Sequence, residues 1–196
     1  MNVFKLIKIF QGDICNYEGD AIVNAANKTL LGGGGVDGAI HFSAGPKLLE
    51  ECRKLNGCET GQAKITLGYN LKSKYVIHTV GPIWHGGGMN EDNLLKECYK
   101  NSLLLAVKNS IRKIAFPCIS TGAYGFPFER ASKIALNTIY EFLNSESSIE
   151  EVSIYCFSDK DYKLFTDVFY DFKNNIAIPP TANIAPNIDT NPSFSL

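Results

Sequence analysis

The apolar positions along this chain fall into short runs separated by longer periodic stretches. Six runs read as strands: residues 3–10 (VFKLIKIF), 21–26 (AIVNAA), 63–70 (AKITLGYN), 75–81 (YVIHTVG), 113–120 (KIAFPCIS) and 151–157 (EVSIYCF). They are rich in Ile, Val, Phe and Tyr, which fit a pleated surface. Segments such as AIVNAA and IAFPCI are apolar on both faces, as suits strands covered by helices on both sides. Between the runs the period lengthens. Residues 35–55 predict a helix that starts near Asp37 and breaks or restarts at Pro46. Residues 90–110 carry an apolar face made of Leu94, Leu95, Cys98, Leu103, Leu105 and Val107. Their acidic residues come first and Lys108 comes late, as the helix dipole favours. Further helices are expected over 127–145, opened by Pro127 and Glu129, and over 159–172, with Ser158 or Asp159 as N-cap. The alternation of strand and helix predicts an α/β domain in three layers, α/β/α, around a mixed, mostly parallel sheet.

The segment 174–196 departs from this pattern. It holds four of the chain's eight prolines (Pro179, Pro180, Pro186 and Pro192), has no Lys or Arg, and shows no helical or strand period. It is expected to be an extended or disordered extension of a domain covering residues 1–173.

Composition narrows function more than fold. The 196 residues suffice for one domain with a proper core, and 45% hydrophobic with 20% charged residues is ordinary for a globular chain. The net charge of −1 lacks the basic excess of a nonspecific nucleic-acid binder, so nucleic acid is not an expected partner. No apolar run reaches the roughly 18 residues of a membrane span, and the start lacks an apolar core with a cleavage site. The expectation is a cytoplasmic monomer without membrane contact. The six cysteines form no C-x-x-C pair and read as small buried thiols kept reduced, so no zinc or redox site is expected.

The chemistry concentrates in NAANKTLLGGGGVDGAIH, residues 24–41. Residues Gly33 to Gly38 match G-x-G-x-x-G, yet a dinucleotide fingerprint needs its glycines directly after a strand, and here NKTLL intervenes. A Walker loop is excluded because the dipeptide GK never occurs. The underlying physics still applies: glycines before a helix let backbone N–H groups approach phosphate oxygens. A second loop of this kind, STGAYGFP (120–127), follows the strand over 113–120. Two such loops suit a diphosphate held from both sides. Asn24 and Asn27, at the end of an apolar strand, read either as turn-forming amides or as partners of ribose hydroxyls.

Taken in order, QGDI (11–14), IVNAAN (22–27), GGGGVDGAIH (32–41), YVIHTVGP (75–82), ISTGAYGFP (119–127) and YCF (155–157) resemble the macrodomain family over about residues 3–172. The likeness is strongest to its MacroD-type ADP-ribosylhydrolase branch. The resemblance implies a central six-stranded mixed sheet between helices, with an ADP-ribose cleft at its crest. It implies that Asp13 accepts a hydrogen bond from the adenine amino group beside Ile14, and that Phe157 packs on the adenine face. Asn24 and Asn27 would border the distal ribose. Gly33, Gly34, Gly35 and Val36 would wrap that ribose and the diphosphate. Ser120, Thr121, Gly122, Ala123 and Tyr124 would form the opposite wall, completed by Gly125 and Phe126. Asp37 takes the branch's catalytic position, with Asn24 and Asn27 as its companions.

The implied activity is removal of mono-ADP-ribose from Asp or Glu side chains of proteins, together with deacetylation of O-acetyl-ADP-ribose. The rival reading is a module that binds ADP-ribose without cleaving it; Asp37 favours the enzyme. No cofactor is implied. No metal is expected either, because the catalytic loop has no Cys and only His41 at its far end. His41 and His78 read as packing and local hydrogen-bonding residues, and His85 as part of a flexible loop. The dipole at a helix N-terminus is expected to lower the pKa of Asp37 and make it a weak base, so that positioning of water carries more of the rate.

Overall fold

A computed structural model describes residues 2–145 and 148–177. The six strands are β1 (Ile7–Gln11), β2 (Ala21–Ala26), β3 (Ala63–Leu67), β4 (Tyr75–Val80), β5 (Lys113–Pro117) and β6 (Glu151–Cys156). They form one sheet in the order β1-β6-β5-β2-β4-β3, parallel throughout except for the edge strand β3, which runs antiparallel to β4. The helices are α1 (Gly35–Ala44), α2 (Pro46–Lys54), α3 (Glu91–Lys108), α4 (Phe128–Asn144) and α5 (Asp159–Ala177).

Strand alternation sends successive side chains to opposite faces. On β2, Ala21 and Val23 join the core formed with α3, α4 and α5, whereas Ile22 and Ala26 join the core under α1 and α2. This is the expected three-layer architecture. Pro46 does restart the helix: Gly45, at φ +82°, separates α1 from α2, and Pro46 opens α2. Ser158 caps α5 by accepting the Asp161 N–H at 3.0 Å.

Two expectations are corrected. Residues Val3–Leu6 form a 3₁₀ turn rather than the start of the first strand. Asn2 caps the turn, and Phe4 stacks on Tyr140 of α4 at 5.0 Å, so tertiary packing overrides the strand-like composition. At the other end, α5 continues to Ala177, past the expected stop at 172 and into the segment read as extended. Adding a residue to an existing helix costs little. The expected extension beyond residue 177 lies outside the described residues.

No helix among the described residues is long and apolar enough to cross a membrane.

Candidate functional site

The sheet splits along its middle. β2 and β5 pair only at Ala21↔Ile114 and Ile22↔Ala115. Beyond that point β2 continues to Ala26 against β4, while β5 continues to Pro117 against β6. The loop after β2 leads to α1 on one face of the sheet, and the loop after β5 leads to α4 on the other. A crevice at strand ends whose connections diverge is where open α/β sheets bind ligands. Here it is a cavity of about 630 Å³, within the usual range for small-molecule sites.

The first wall is the glycine loop with the start of α1. Asn27 staples it: Nδ2 donates to Gly32 O at 2.8 Å, and Oδ1 accepts from Thr29 N at 3.0 Å and from its hydroxyl at 2.6 Å. Asn27 thus lines the cleft and acts as the turn-forming amide. Gly33 lies over Asn27 and Asp37, where an added Cβ would come within 3.2 Å of Asn27 Nδ2 and 3.1 Å of Asp37 Oδ2. Gly35 adopts φ +59°, a left-handed conformation that favours glycine. The N-cap, Gly34, offers no side chain to the helix. The first-turn N–H groups of α1 lack intrahelical acceptors and are free to meet an anion.

Asp37 is the third residue of α1 and lines the cavity, although it is only 4% exposed. Its Oδ1 accepts from Asn24 Nδ2 at 2.7 Å and lies 3.6 Å from His41 Nε2. Its Oδ2 has no partner among the described residues. Burial raises its pKa above the ordinary aspartate value, opposed by the Asn24 hydrogen bond and the His41 charge. The expected lowering is therefore corrected: desolvation outweighs the groups that favour the anion.

Asn24 is corrected as well. It is completely buried and lies behind Asp37, not on the cavity wall.

The opposite wall is the loop after β5, from Ser120 to Tyr124. Ser120 holds φ +66°, a strained conformation for a non-glycine residue, and its buried hydroxyl has no partner among the described residues. Thr121 Oγ1 donates to Cys118 O at 2.9 Å. Gly125 and Phe126 do not complete this wall. Gly125 closes the turn through its N–H to Gly122 O at 2.9 Å, and Phe126 is buried against Trp84 at 4.6 Å.

Trp84 N donates to Tyr124 O at 2.8 Å, tying the wall to the loop after β4. Far from being unanchored, that loop gives Glu91 the N–H groups of His85, Gly87 and Met89 at 3.0, 3.1 and 2.6 Å. Burial alone would raise the pKa of Glu91, but its backbone N–H partners win and hold it at about 2.

At the far end stand Asp13, Ile14 and Phe157. Asp13 Oδ1 caps the short turn Ile14–Asn16 by accepting from Cys15 N at 2.9 Å. Phe157 is 84% exposed, so its ring is open to a ligand at this end of the cavity. Sequence reasoning missed Tyr155 and Asp161, which line the same end. The period of two places Tyr155 on the same side as Phe157, a signal that could have found it. It also missed Gly12, Ala25, Ala26, Ala39, Gly81, Pro117 and Cys118, whose small or apolar side chains carry no chemical signature.

No Lys or Arg among the described residues lines the cavity. A diphosphate there would be held by backbone N–H groups and the α1 dipole rather than by cations. No group of three or more His, Cys, Asp or Glu side chains among the described residues is arranged for a metal.

A family model described as Macro domain matches residues 23–135. Macro domain-containing protein CT2219 of Chlorobaculum tepidum is 59% identical over 160 residues, covering 82% of this chain and 93% of its own. Human ADP-ribose glycohydrolase MACROD2 is 56% identical over 170 residues; the match covers 85% of this chain but only 40% of that longer protein. Among solved structures, the Oceanobacillus iheyensis macrodomain with ADP superposes with a TM-score of 0.82 at 42% identity, covering 85% of this chain and 91% of that one. The Trypanosoma brucei macrodomain in complex with ADP-ribose gives a TM-score of 0.79 at 44% identity, covering 83% and 68%.

Proposed function

The chain belongs to the macro domain family, and from that premise we propose that it hydrolyses ADP-ribose esters, releasing mono-ADP-ribose from Asp or Glu side chains of proteins and acetate from O-acetyl-ADP-ribose. The name of the human relative, an ADP-ribose glycohydrolase, and the ADP-ribose bound to the trypanosomal relative support this reading. The observation that carries it is Asp37 on the cavity wall, with Oδ1 tied to Asn24 and Oδ2 unpartnered.

In this reading adenine lies at the Phe157 end beside Asp13 and Ile14. The diphosphate spans the two loops, meeting N–H groups of Gly33, Gly34, Gly35 and Val36 on one side and of Ser120, Thr121, Gly122, Ala123 and Tyr124 on the other. The distal ribose lies against Asn27 and Asp37. A water held by the Asp37 carboxylate attacks the ester carbonyl carbon while Asp37 takes one of its protons. The water oxygen bonds to that carbon, the bond from the carbon to the ribose oxygen breaks, and the ribose oxygen leaves with the proton that Asp37 took up. Burial raises the pKa of Asp37 and so makes it a better general base than an exposed aspartate. Orientation of the water supplies a further share of the rate.

The test is release of ADP-ribose from a glutamate-modified protein by the wild type and by Asp37→Ala, beside calorimetry with free ADP-ribose. Release by the wild type, lost in the variant with binding retained, supports the hydrolase. Binding without release by the wild type would make the chain a reader module.

A further inference from the structure

His78, buried in the middle of the sheet, plays no part in the chemistry set out so far. It sits on β4 directly across from Asn24 on β2 and is fully buried. Its Nδ1 lies 3.1 Å from Asn24 Nδ2, and its Nε2 lies 2.9 Å from Thr66 Oγ1 on β3 and 3.7 Å from Cys52 Sγ on α2.

The donor inventory fixes the direction of these bonds. An amide nitrogen has two hydrogens and only donates. Asn24 Nδ2 gives one hydrogen to Asp37 Oδ1 at 2.7 Å and points the other at His78 Nδ1. His78 Nδ1 must then accept, so the proton of the neutral ring sits on Nε2, where Thr66 Oγ1 takes it. The bonds run in one sense from Asn24 outward: Nδ2 serves two acceptors, while Asn24 Oδ1 has no partner among the described residues to compete for the amide's orientation.

We propose that His78, as its Nε2–H tautomer and backed by Thr66, is a positioning residue that holds the Asn24 amide with its NH₂ toward Asp37 and so fixes the orientation of the Asp37 carboxylate at the cavity wall. The opposite tautomer would set N–H against N–H. Asn24 would then turn its oxygen to His78 and to Asp37 Oδ1, two acceptors facing each other at 2.7 Å. Protonation of the ring would have the same effect, and burial prevents it by pushing the His78 pKa down to about 3.

This inference rests on Asp37 being the reactive carboxylate, so the experiment separates the two. Long-range ¹H–¹⁵N NMR of the wild type reads the His78 tautomer without any turnover. Nε2–H is expected; a ring protonated on Nδ1 overturns the proposal. Turnover of a glutamate-linked substrate and ADP-ribose affinity are then measured for His78→Leu, which removes both ring nitrogens, and His78→Asn, whose Oδ1 can replace the Nδ1 acceptor. The expected result for His78→Leu is a kcat drop of about 100-fold, the scale of a misplaced catalytic group, with unchanged ADP-ribose affinity, and recovery of most of the rate in His78→Asn. Equal kcat in the wild type and His78→Leu overturns the proposal, as does equal loss in both variants together with affinity. If His78→Leu does not fold, Thr66→Val, which removes only the Nε2–H acceptor, takes its place with the same expected split. An inactive wild type overturns the hydrolase reading instead and leaves the tautomer to decide this one.

Discussion

Asn24 Nδ2 stands 2.7 Å from Asp37 Oδ1, inside a pocket that leaves the carboxylate 4% exposed. One charge-assisted hydrogen bond partly offsets the cost of burying an anion, and the raised pKa of Asp37 records what is left uncompensated. The site therefore trades stability for a reactive carboxylate.

That trade predicts a pH-dependent gain in Asp37→Asn. A carboxyl whose folded pKa lies above its unfolded value is favoured when protonated, so its stabilising share is present below the ordinary aspartate range and lost as pH rises through the raised value. The wild type thus carries a charge penalty at neutral pH that the variant lacks. Thermal unfolding should give a higher Tm for Asp37→Asn at pH 7, with the gap shrinking as pH falls through the raised value and closed below the ordinary aspartate range, about pH 4, and hydrolysis should fall at least roughly 100-fold. The acid limb of wild-type kcat/KM should lie above the range of an exposed aspartate. A Tm gap that does not change with pH would refute the account of Asp37.

Gly33 separates binding from chemistry. In Gly33→Ala, the new Cβ would meet Asp37 Oδ2 at 3.1 Å and Asn27 Nδ2 at 3.2 Å, pressing on the reactive oxygen rather than on the phosphates. Turnover should drop by about tenfold or more, with ADP-ribose affinity little changed. Gly33→Glu fills the cleft and should abolish binding in calorimetry. Wild-type affinity in that variant would mean that the ligand does not lie against this loop.

Phe157 is so exposed that removing it should cost no stability. Stacking of a base on an aromatic ring is worth about 1–3 kcal/mol by alanine substitution, so Phe157→Ala should raise the ADP-ribose Kd by roughly 5–150-fold with Tm unchanged. Phe157→Trp should retain affinity. Equal Kd values for Phe157→Ala and the wild type would remove the ring from the adenine site.

Much of this could be read from residue order, for physical reasons that differ by element. The doubly apolar runs of β2 and β5 announce a covered sheet, and the glycines beside Asp37 announce a close backbone approach. Asn24 was misplaced because polarity at a strand end looks the same whether it faces a ligand or a buried carboxylate. Only the register that sets Asn24 against His78 distinguishes the two. The pKa of Asp37 took the opposite direction because the helix dipole is local, whereas desolvation depends on what the loops and strands bring around the group. Phe126 and Val3–Leu6 differ for the same reason: their places are set by Trp84 and by Tyr140, both distant in sequence.

Glu91 links loop stability to the site across the 84–90 segment. It accepts three backbone N–H groups from that loop, which holds the Tyr124 wall through Trp84 N. Arg130 ties the same corner, stacking on Trp84 at 5.1 Å and pairing with Asp92 at 2.7 Å. A carboxylate whose folded pKa is depressed gives stability that is present above its unfolded pKa and lost as pH falls through the folded value. The ordinary value is 4.5 and the folded one about 2. Glu91→Ala should therefore lower Tm at pH 7, and the difference from the wild type should close as pH falls from 4.5 toward about 2. Because the Tyr124 wall loses its support, ADP-ribose affinity should weaken several-fold while the pH dependence set by Asp37 stays in place. Hydrogen exchange gives the direct reading: the Trp84 amide should lose protection in Glu91→Ala and keep it in Asp37→Asn. Unchanged protection at Trp84 would mean that the loop stands without its carboxylate anchor.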